Sequence, residues 1–312
     1  MTIRPSIKEL FWMVPGAIIM LLFVLVAAHF HKEHNPVKEL AQKARLVDLV
    51  GRMRFGVSSA SEAEKSAVMA ITDKDSITFA DQARRATEEV ERQREELERL
   101  LKTNLKQNEA DLFTQFSQAF TEFQRIDKDL LTLAVKNSNL KAYDLAYGPA
   151  HEAVGEMITA LSHVVTTNGG AAEANKIMRL ATVAEISALR IETLLAPHIS
   201  EESNEKMNRM EASMSKEDER VLSALSGLKE TPGLIDEADL AKARSSYGRF
   251  GEIRHKILAL SRENTNVRSL EISLNEKRKI TLLCEDTLKA LKDAIEEEPV
   301  RGVTYGRPER PR

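Results

Sequence analysis

Apolar residues recur at spacings of three and four along most of the chain. This spacing predicts amphipathic α-helices, because it places the apolar side chains on one face of a helix with 3.6 residues per turn. The first stripe contains Leu46, Leu49, Met53, Val57 and Ala60. The last contains Ile280, Cys284, Leu288, Leu291 and Ile295. Two sets of four such stripes predict an all-α fold with two groups of four helices.

The chain also contains an internal repeat. The stretch NSNLKAYDL at residues 137–145 returns as NTNVRSLEI at residues 264–272, at an offset of 127 positions. The same offset aligns apolar residues upstream, for example Phe123 with Phe250. Self-similarity of this kind indicates that one structural unit occurs twice.

Each copy is predicted to form an up-down four-helix bundle. Segments with helix-capping or helix-breaking residues separate the stripes, namely TDKDS, HISEES, ETPG and NGG. Short connections make consecutive helices antiparallel neighbours. The predicted domains are a first bundle at 31–168, a second bundle at 172–297 and a disordered basic tail at 298–312.

The N-terminal segment predicts a transmembrane helix. No charged residue occurs from Phe11 to Ala28, and residues 11–30 have about the length that spans a bilayer. A cleaved signal peptide is the alternative, since the small residues at 26–28 form an acceptable cleavage site.

The charges before this segment set its expected orientation. Arg4 and Lys8 precede it, which favours a cytoplasmic N-terminus by the positive-inside rule. Residues 1–30 are thus predicted to be a cytoplasmic N-terminus and a membrane anchor. We expect a single-pass protein of the inner, cytoplasmic membrane that contacts lipid through residues 11–30, with the bulk of the chain periplasmic.

Composition and motifs narrow the function. The 45 basic and 48 acidic residues are interspersed, so no basic face predicts nucleic-acid binding. One cysteine excludes an intrachain disulfide. The sequence HFHKEH at 29–34 could collect a metal ion, but an interfacial membrane anchor is the favoured interpretation. Catalytic and cofactor-binding motifs are absent, so we expect no enzymatic activity, no cofactor and no metal.

The anchor, the antiparallel helices and the stretch LTLAVKNSNLKAYDLAYGPAHEAVGEM at 131–157 resemble the four-helix-bundle sensory domain of bacterial chemoreceptors and related sensor kinases. The resemblance covers both copies. It implies a periplasmic domain that binds small ligands or protein partners, and two copies that pair side by side as that family's homodimers do. The chain departs from the family in lacking a second membrane span and an output segment.

The same resemblance suggests candidate ligand-binding residues. Arg52, Arg54 and Arg179 lie on the first helix of each copy, where members of the family hold anionic ligands with arginines, although solvated or salt-bridged arginines are common on bundles. Asn137 and Asn264 lie at the entry to the fourth helix. Ligand contact is one role for them, and helix capping is the favoured one.

Together these features predict a membrane-anchored extracytoplasmic sensory or interaction module that binds a small ligand or a protein partner and has no cytoplasmic output domain. The expected partners are a small anionic ligand and a membrane receptor, kinase or complex subunit. A structural scaffold or accessory subunit of a membrane-associated complex is the alternative.

Overall fold

The computed structural model describes residues 20–23, 36–102, 106–235, 237–297 and 299. Most of the predicted anchor, the His-rich stretch at 29–34 and nearly all of the predicted tail lie outside these residues. The described chain is helical and contains no strand, which confirms the all-α prediction there. Among its helices, none combines the length and the apolar character needed to cross a bilayer.

From residue 36 onward, the described chain forms ten α-helices and two π-helical turns. The α-helices are α1 (Pro36–Met69), α2 (Asp73–Leu101), α3 (Gln107–Ala134), α4 (Ser138–Leu145), α5 (His151–Thr167), α6 (Ala174–Ser200), α7 (Asn204–Lys229), α8 (Glu237–Glu263), α9 (Thr265–Ile272) and α10 (Arg278–Glu297). The π-turns are π1 (Ala146–Ala150), between α4 and α5, and π2 (Ser273–Lys277), between α9 and α10.

The predicted helix boundaries agree with the local chemistry. The Thr72 hydroxyl accepts a hydrogen bond from the Asp75 N–H in the first turn of α2, and the Ser203 hydroxyl accepts one from the Lys206 N–H in α7. Between α7 and α8, Gly233 has a φ of 73°, which glycine adopts without a Cβ clash. These connections confirm that the TDKDS, HISEES and ETPG segments separate helices.

The chain divides into two compact units. Of the described residues, those up to 57, from 89 to 118 and from 283 onward form unit 1, and those from 58 to 88 and from 119 to 282 form unit 2. In unit 1, the Lys43 ammonium of α1 donates to the Glu296 carbonyl of α10 at 2.5 Å. Helices from the two ends of the chain therefore meet in unit 1.

Unit 2 contains a long antiparallel helix pair. The end of α3, then α4, π1 and α5, run against α8, α9 and π2. The contacts that fix this register are Asp127–Lys277, Asn139–Asn264, Glu156–Ser246, His163–Asp239 and Asn168–Ile235. Their residue numbers sum to nearly the same value, as an antiparallel pair requires.

Helix contacts in unit 2 cross the boundary between the two sequence copies. Helix α5 belongs to the first copy, yet it packs against α6 and α8 of the second. Its apolar residues share one buried core with those of α6, α7 and α8. The last helix of the first copy thus completes a four-helix group with three helices of the second.

Candidate functional site

Asn137 and Asn264 occupy identical backbone positions 127 residues apart. Each precedes a short helix with φ 51° and ψ 39°, in the left-handed region. In the described chain they are the two non-glycine residues with positive φ. Asparagine tolerates this conformation better than most residues. The two copies therefore break their long helices in the same way.

The helices that follow are capped reciprocally. The Ser138 N–H donates to the Thr265 hydroxyl at 3.0 Å, and the Thr265 N–H donates to the Ser138 hydroxyl at 3.1 Å. The Asn139 and Asn266 N–H groups likewise donate to each other's side-chain carbonyl oxygens at 3.2 and 3.1 Å. The helix starts are thus capped, but each acceptor comes from the other copy, and the side chains of Asn137 and Asn264 themselves form no cap hydrogen bond. We call residues 137–139 and 264–266 the junction.

The side chains of the two asparagines that the sequence analysis named form hydrogen bonds within the protein. The Asn137 amide donates to the Asp73 carboxylate at 2.8 Å, and its carbonyl oxygen accepts from the Asn266 amide at 3.0 Å. The Asn264 amide donates to the Glu201 carbonyl at 2.9 Å. Both asparagines are buried. Their hydrogen bonds hold the junction together, so their geometry is that of structural residues.

The three predicted arginines are exposed. In unit 1, Arg52 forms an ion pair with Asp48 of its own helix at 3.1 Å, and Arg54 faces solvent. In unit 2, Arg179 lies near the start of α6, whereas the junction contacts the end of that helix through the Ile199 carbonyl. At 1.5 Å per residue this separation is about 30 Å. The structure therefore does not bring Arg179 together with the junction asparagines.

Arg179 instead lines a cleft between α6 and α7, which we call the α6–α7 cleft. Its volume is about 440 Å³. The lining residues are Arg179, Leu180 and Val183 from α6 and Lys216, Glu219, Arg220, Ser223 and Ala224 from α7. Three cationic side chains, one anionic side chain and an apolar floor are the composition of a site for a small anion.

Neighbouring contacts show how the cleft is shaped. Arg220 pairs with Glu217 at 2.7 Å, which holds the guanidinium along α7. Gly227 lies against Leu180, where an added Cβ would come within 3.2 Å of the leucine side chain. The glycine thus lets α6 and α7 approach closely beneath the cleft.

A second set of charged side chains is buried in unit 2. The Lys277 ammonium donates to the Asp127 carboxylate at 2.5 Å and lies 3.1 Å from the centre of the Phe123 ring. Glu64 lies in the same group and is fully buried. We call Glu64, Asp127 and Lys277 the buried charge cluster.

The Glu64 carboxyl is unusual within this cluster. Neither of its oxygens has a hydrogen-bond partner of good geometry in the described chain, although the Ser273 hydroxyl lies close enough to act on the carboxyl. Burial raises the pKa of Glu64 to about 7, against the smaller lowering effects of the Ser273 hydroxyl and Lys277. A buried carboxyl without a full set of partners favours its neutral form.

A third polar group connects α6, α7 and α8. The His198 ring lies 2.8 Å from the Ser261 hydroxyl and, on its other nitrogen, 2.8 Å from the Glu211 carboxylate. These are the residue types of a hydrolase triad. However, Ser261 and His198 are fully buried, so a substrate has no route to the hydroxyl. Burial also lowers the pKa of His198, which favours a neutral ring in a structural hydrogen-bond chain.

Sequence reasoning missed the buried charge cluster, although a signal for it exists. Glu64 lies between Ala60 and Ala67 in one apolar stripe, and Lys277 continues the stripe of Ile280 backwards by three residues. A charged residue at a core position of a helix is itself informative, because burying a charge is costly unless it is paired. The lysine and arginine of α7 in the cleft carry no such signal, because both are exposed.

Comparison with known proteins supports a sensory role. A family described as a four helix bundle sensory module for signal transduction matches residues 56–178. The matched region extends from within α1 to the start of α6, and the second copy from residue 179 onward lies beyond it. No curated protein matches the chain. Over these residues the chain is similar to a signal-transduction sensory module.

Proposed function

We propose that the protein is a membrane-anchored sensory module that binds a small carboxylate-bearing anion in the α6–α7 cleft. The observation that carries this proposal is the convergence of Arg179, Lys216 and Arg220 on a cleft with an apolar floor. Guanidinium groups bind carboxylates through paired hydrogen bonds. The similarity to a sensory module supports the assignment to signal transduction.

The second sequence copy belongs to the same proposal. Its αL asparagine, short helix and π-turn repeat those of the first copy at the same offset. We therefore take the chain to be a tandem pair of such modules, anchored by residues 11–30 with its bulk outside the cytoplasm. A separate membrane receptor, kinase or complex subunit would receive the signal.

Calorimetric titration tests the ligand proposal. The full chain, purified in mild detergent, is titrated with a series of linear dicarboxylates from oxalate to adipate, with sodium chloride as the control anion. We expect at least one dicarboxylate to bind. Arg179→Ala and Arg220→Ala should each weaken that binding by about tenfold or more, because each removes a charge-assisted hydrogen bond.

A matched variant separates the cleft from general charge effects. Arg209 is another exposed arginine of α7, paired with Glu205 at 3.7 Å and outside the cleft. Arg209→Ala should leave dicarboxylate affinity unchanged. Failure of every dicarboxylate to bind, combined with co-purification of the chain with one membrane complex, would support a scaffold role instead. Equal losses in all three variants would place the ligand outside the cleft.

A further inference from the structure

We propose that Glu64 is a proton-binding site whose ionisation loosens π2 and the start of α10 from the helices that surround them. All of the residues involved lie in unit 2, and the change does not require ligand binding in the α6–α7 cleft. The buried charge cluster contains two carboxyl groups and one ammonium group.

One ammonium cannot neutralise both carboxyl groups. Lys277 is committed to Asp127 at 2.5 Å, and the Thr87 hydroxyl of α2 approaches the other Asp127 oxygen at 3.5 Å. With Glu64 protonated, the cluster is electrically neutral. With Glu64 ionised, it holds one uncompensated negative charge at a buried site, which is strongly unfavourable.

The groups around Glu64 come from four elements, and π2 supplies two of them. Lys65 acts on it from α1, Asp127 from α3, and Lys277 and Ser273 from π2. From α2, Thr87 reaches the cluster and contributes a hydroxyl. The two π2 residues are the first and last of that turn and both are buried. Because π2 supplies both Ser273 and Lys277, a movement of π2, or the entry of water, would give the ionised carboxylate new partners.

Because of its geometry, we expect π2 to be the element that moves when Glu64 ionises. A π-turn is a rare, locally wide form of helix that occurs mostly as single turns at functional sites. Ile272, directly before π2, packs against an apolar group formed by α1, α2 and α3. Movement of π2 would thus disturb this packing as well as the Lys277–Asp127 pair.

The first copy provides an internal control without the charges. Its π-turn has the same length and lies 127 residues earlier. Ala146 and Ala150 occupy the positions of Ser273 and Lys277, and Ile191 occupies the position of Glu64. All three are buried in the core. The same turn therefore exists in a form that has no buried ionisable side chain.

Hydrogen exchange followed by mass spectrometry tests the inference on the full chain in mild detergent. Exchange is compared at about pH 5.5 and about pH 8.5, after correction for the intrinsic effect of pH. If opening exposes Glu64 to water, the shift of its pKa from 4.5 to about 7 raises the opening equilibrium by about 30-fold across this range. We expect this rise in peptides from residues 265–282.

The two copies and two variants decide the outcome. Peptides from residues 138–150, which stop short of the His151–Glu192 contact, should not change, because π1 contains no buried ionisable side chain. Glu64→Gln should abolish the pH response at 265–282, and Glu64→Ile, which copies Ile191, should do the same. Glu62→Gln, at an exposed site of α1, should retain it. An equal pH response in both π-turns, or one that persists without Glu64, would overturn the proposal.

Discussion

The junction offers the sharpest prediction from the fold. Asn139 is buried, and its side chain contacts three partners in unit 2. Its amide donates to the Ile199 carbonyl at 2.6 Å and to the Asn264 side-chain oxygen at 2.7 Å, and its own oxygen accepts from the Asn266 N–H. Asn139→Ala removes all of these bonds and leaves the partners in a site closed to water.

The expected cost follows from these contacts. A buried group that loses its hydrogen-bond partner costs about 1–3 kcal/mol, and a lost helix cap typically costs about 1 kcal/mol. The substitution leaves three groups without their hydrogen-bond partner, and partial relaxation of the site should reduce the summed cost. We therefore expect Asn139→Ala to lower the free energy of unfolding by about 3 kcal/mol. For a unit of this size, that corresponds to a fall in Tm of about 6–12 °C.

Thermal unfolding followed by circular dichroism measures the effect on the full chain. Asn275→Ala is the matched control, because the Asn275 amide also donates to a backbone carbonyl, that of Glu271 at 3.0 Å, but on the exposed surface. The control should change the free energy of unfolding by no more than about 0.5 kcal/mol. The reciprocal-cap account would be refuted by equal effects of the two substitutions.

Three further predictions concern charges and packing. Because the pKa of Glu64 is raised in the folded state, wild-type stability should fall as pH rises from 4.5 through about 7. Measured by urea unfolding across that range, the stability of Glu64→Gln relative to wild type should therefore increase by about 3 kcal/mol. A stability difference that is the same at all pH values would contradict this. Lys277→Met leaves the Asp127 carboxylate buried without its cation, so by the same assay it should lower the free energy of unfolding at pH 7 by about 3–5 kcal/mol. No change in stability would mean that the pair is solvated. Gly56→Ala places a Cβ within 2.5 Å of the Val90 side chain and should lower Tm, whereas Gly51→Ala, in open space on the same helix, should raise it; the reverse order would exclude close packing at Gly56.

Local features of the fold could be predicted from the sequence. Helix positions follow from apolar spacing, and Thr72 and Ser203 show that capping residues mark real helix starts. These two caps join residues close together in the chain, so local chemistry determines them. The repeat also predicted that the NSN and NTN stretches cap helices, but it did not predict that each helix is capped by the other copy, 127 residues away.

The partner of each helix could not be predicted in the same way. The apolar face of α5 could pack against α3 of its own copy or α8 of the other, and the repeat makes these helices chemically similar, as Phe123 and Phe250 show. Either arrangement buries the same face. Glu64 and Lys277 each interrupt an apolar stripe, which is visible in the sequence. That the two side chains lie together could not be predicted, because it depends on which helices are exchanged between the copies.

Chemical cross-linking tests the exchange of α5 most directly. In unit 2, Glu156 of α5 forms an ion pair with Arg249 of α8, and both side chains are about half exposed. A bundle confined to the first copy would instead place Glu156 beside Glu122, which is the equivalent of Arg249 at the offset of 127. Cysteine pairs at 156 and 249, and at 156 and 122, are made in a Cys284→Ala background and treated with a short bis-maleimide. The account predicts a rapid intramolecular cross-link for the 156–249 pair. Cross-linking of the 156–122 pair in its place would contradict it.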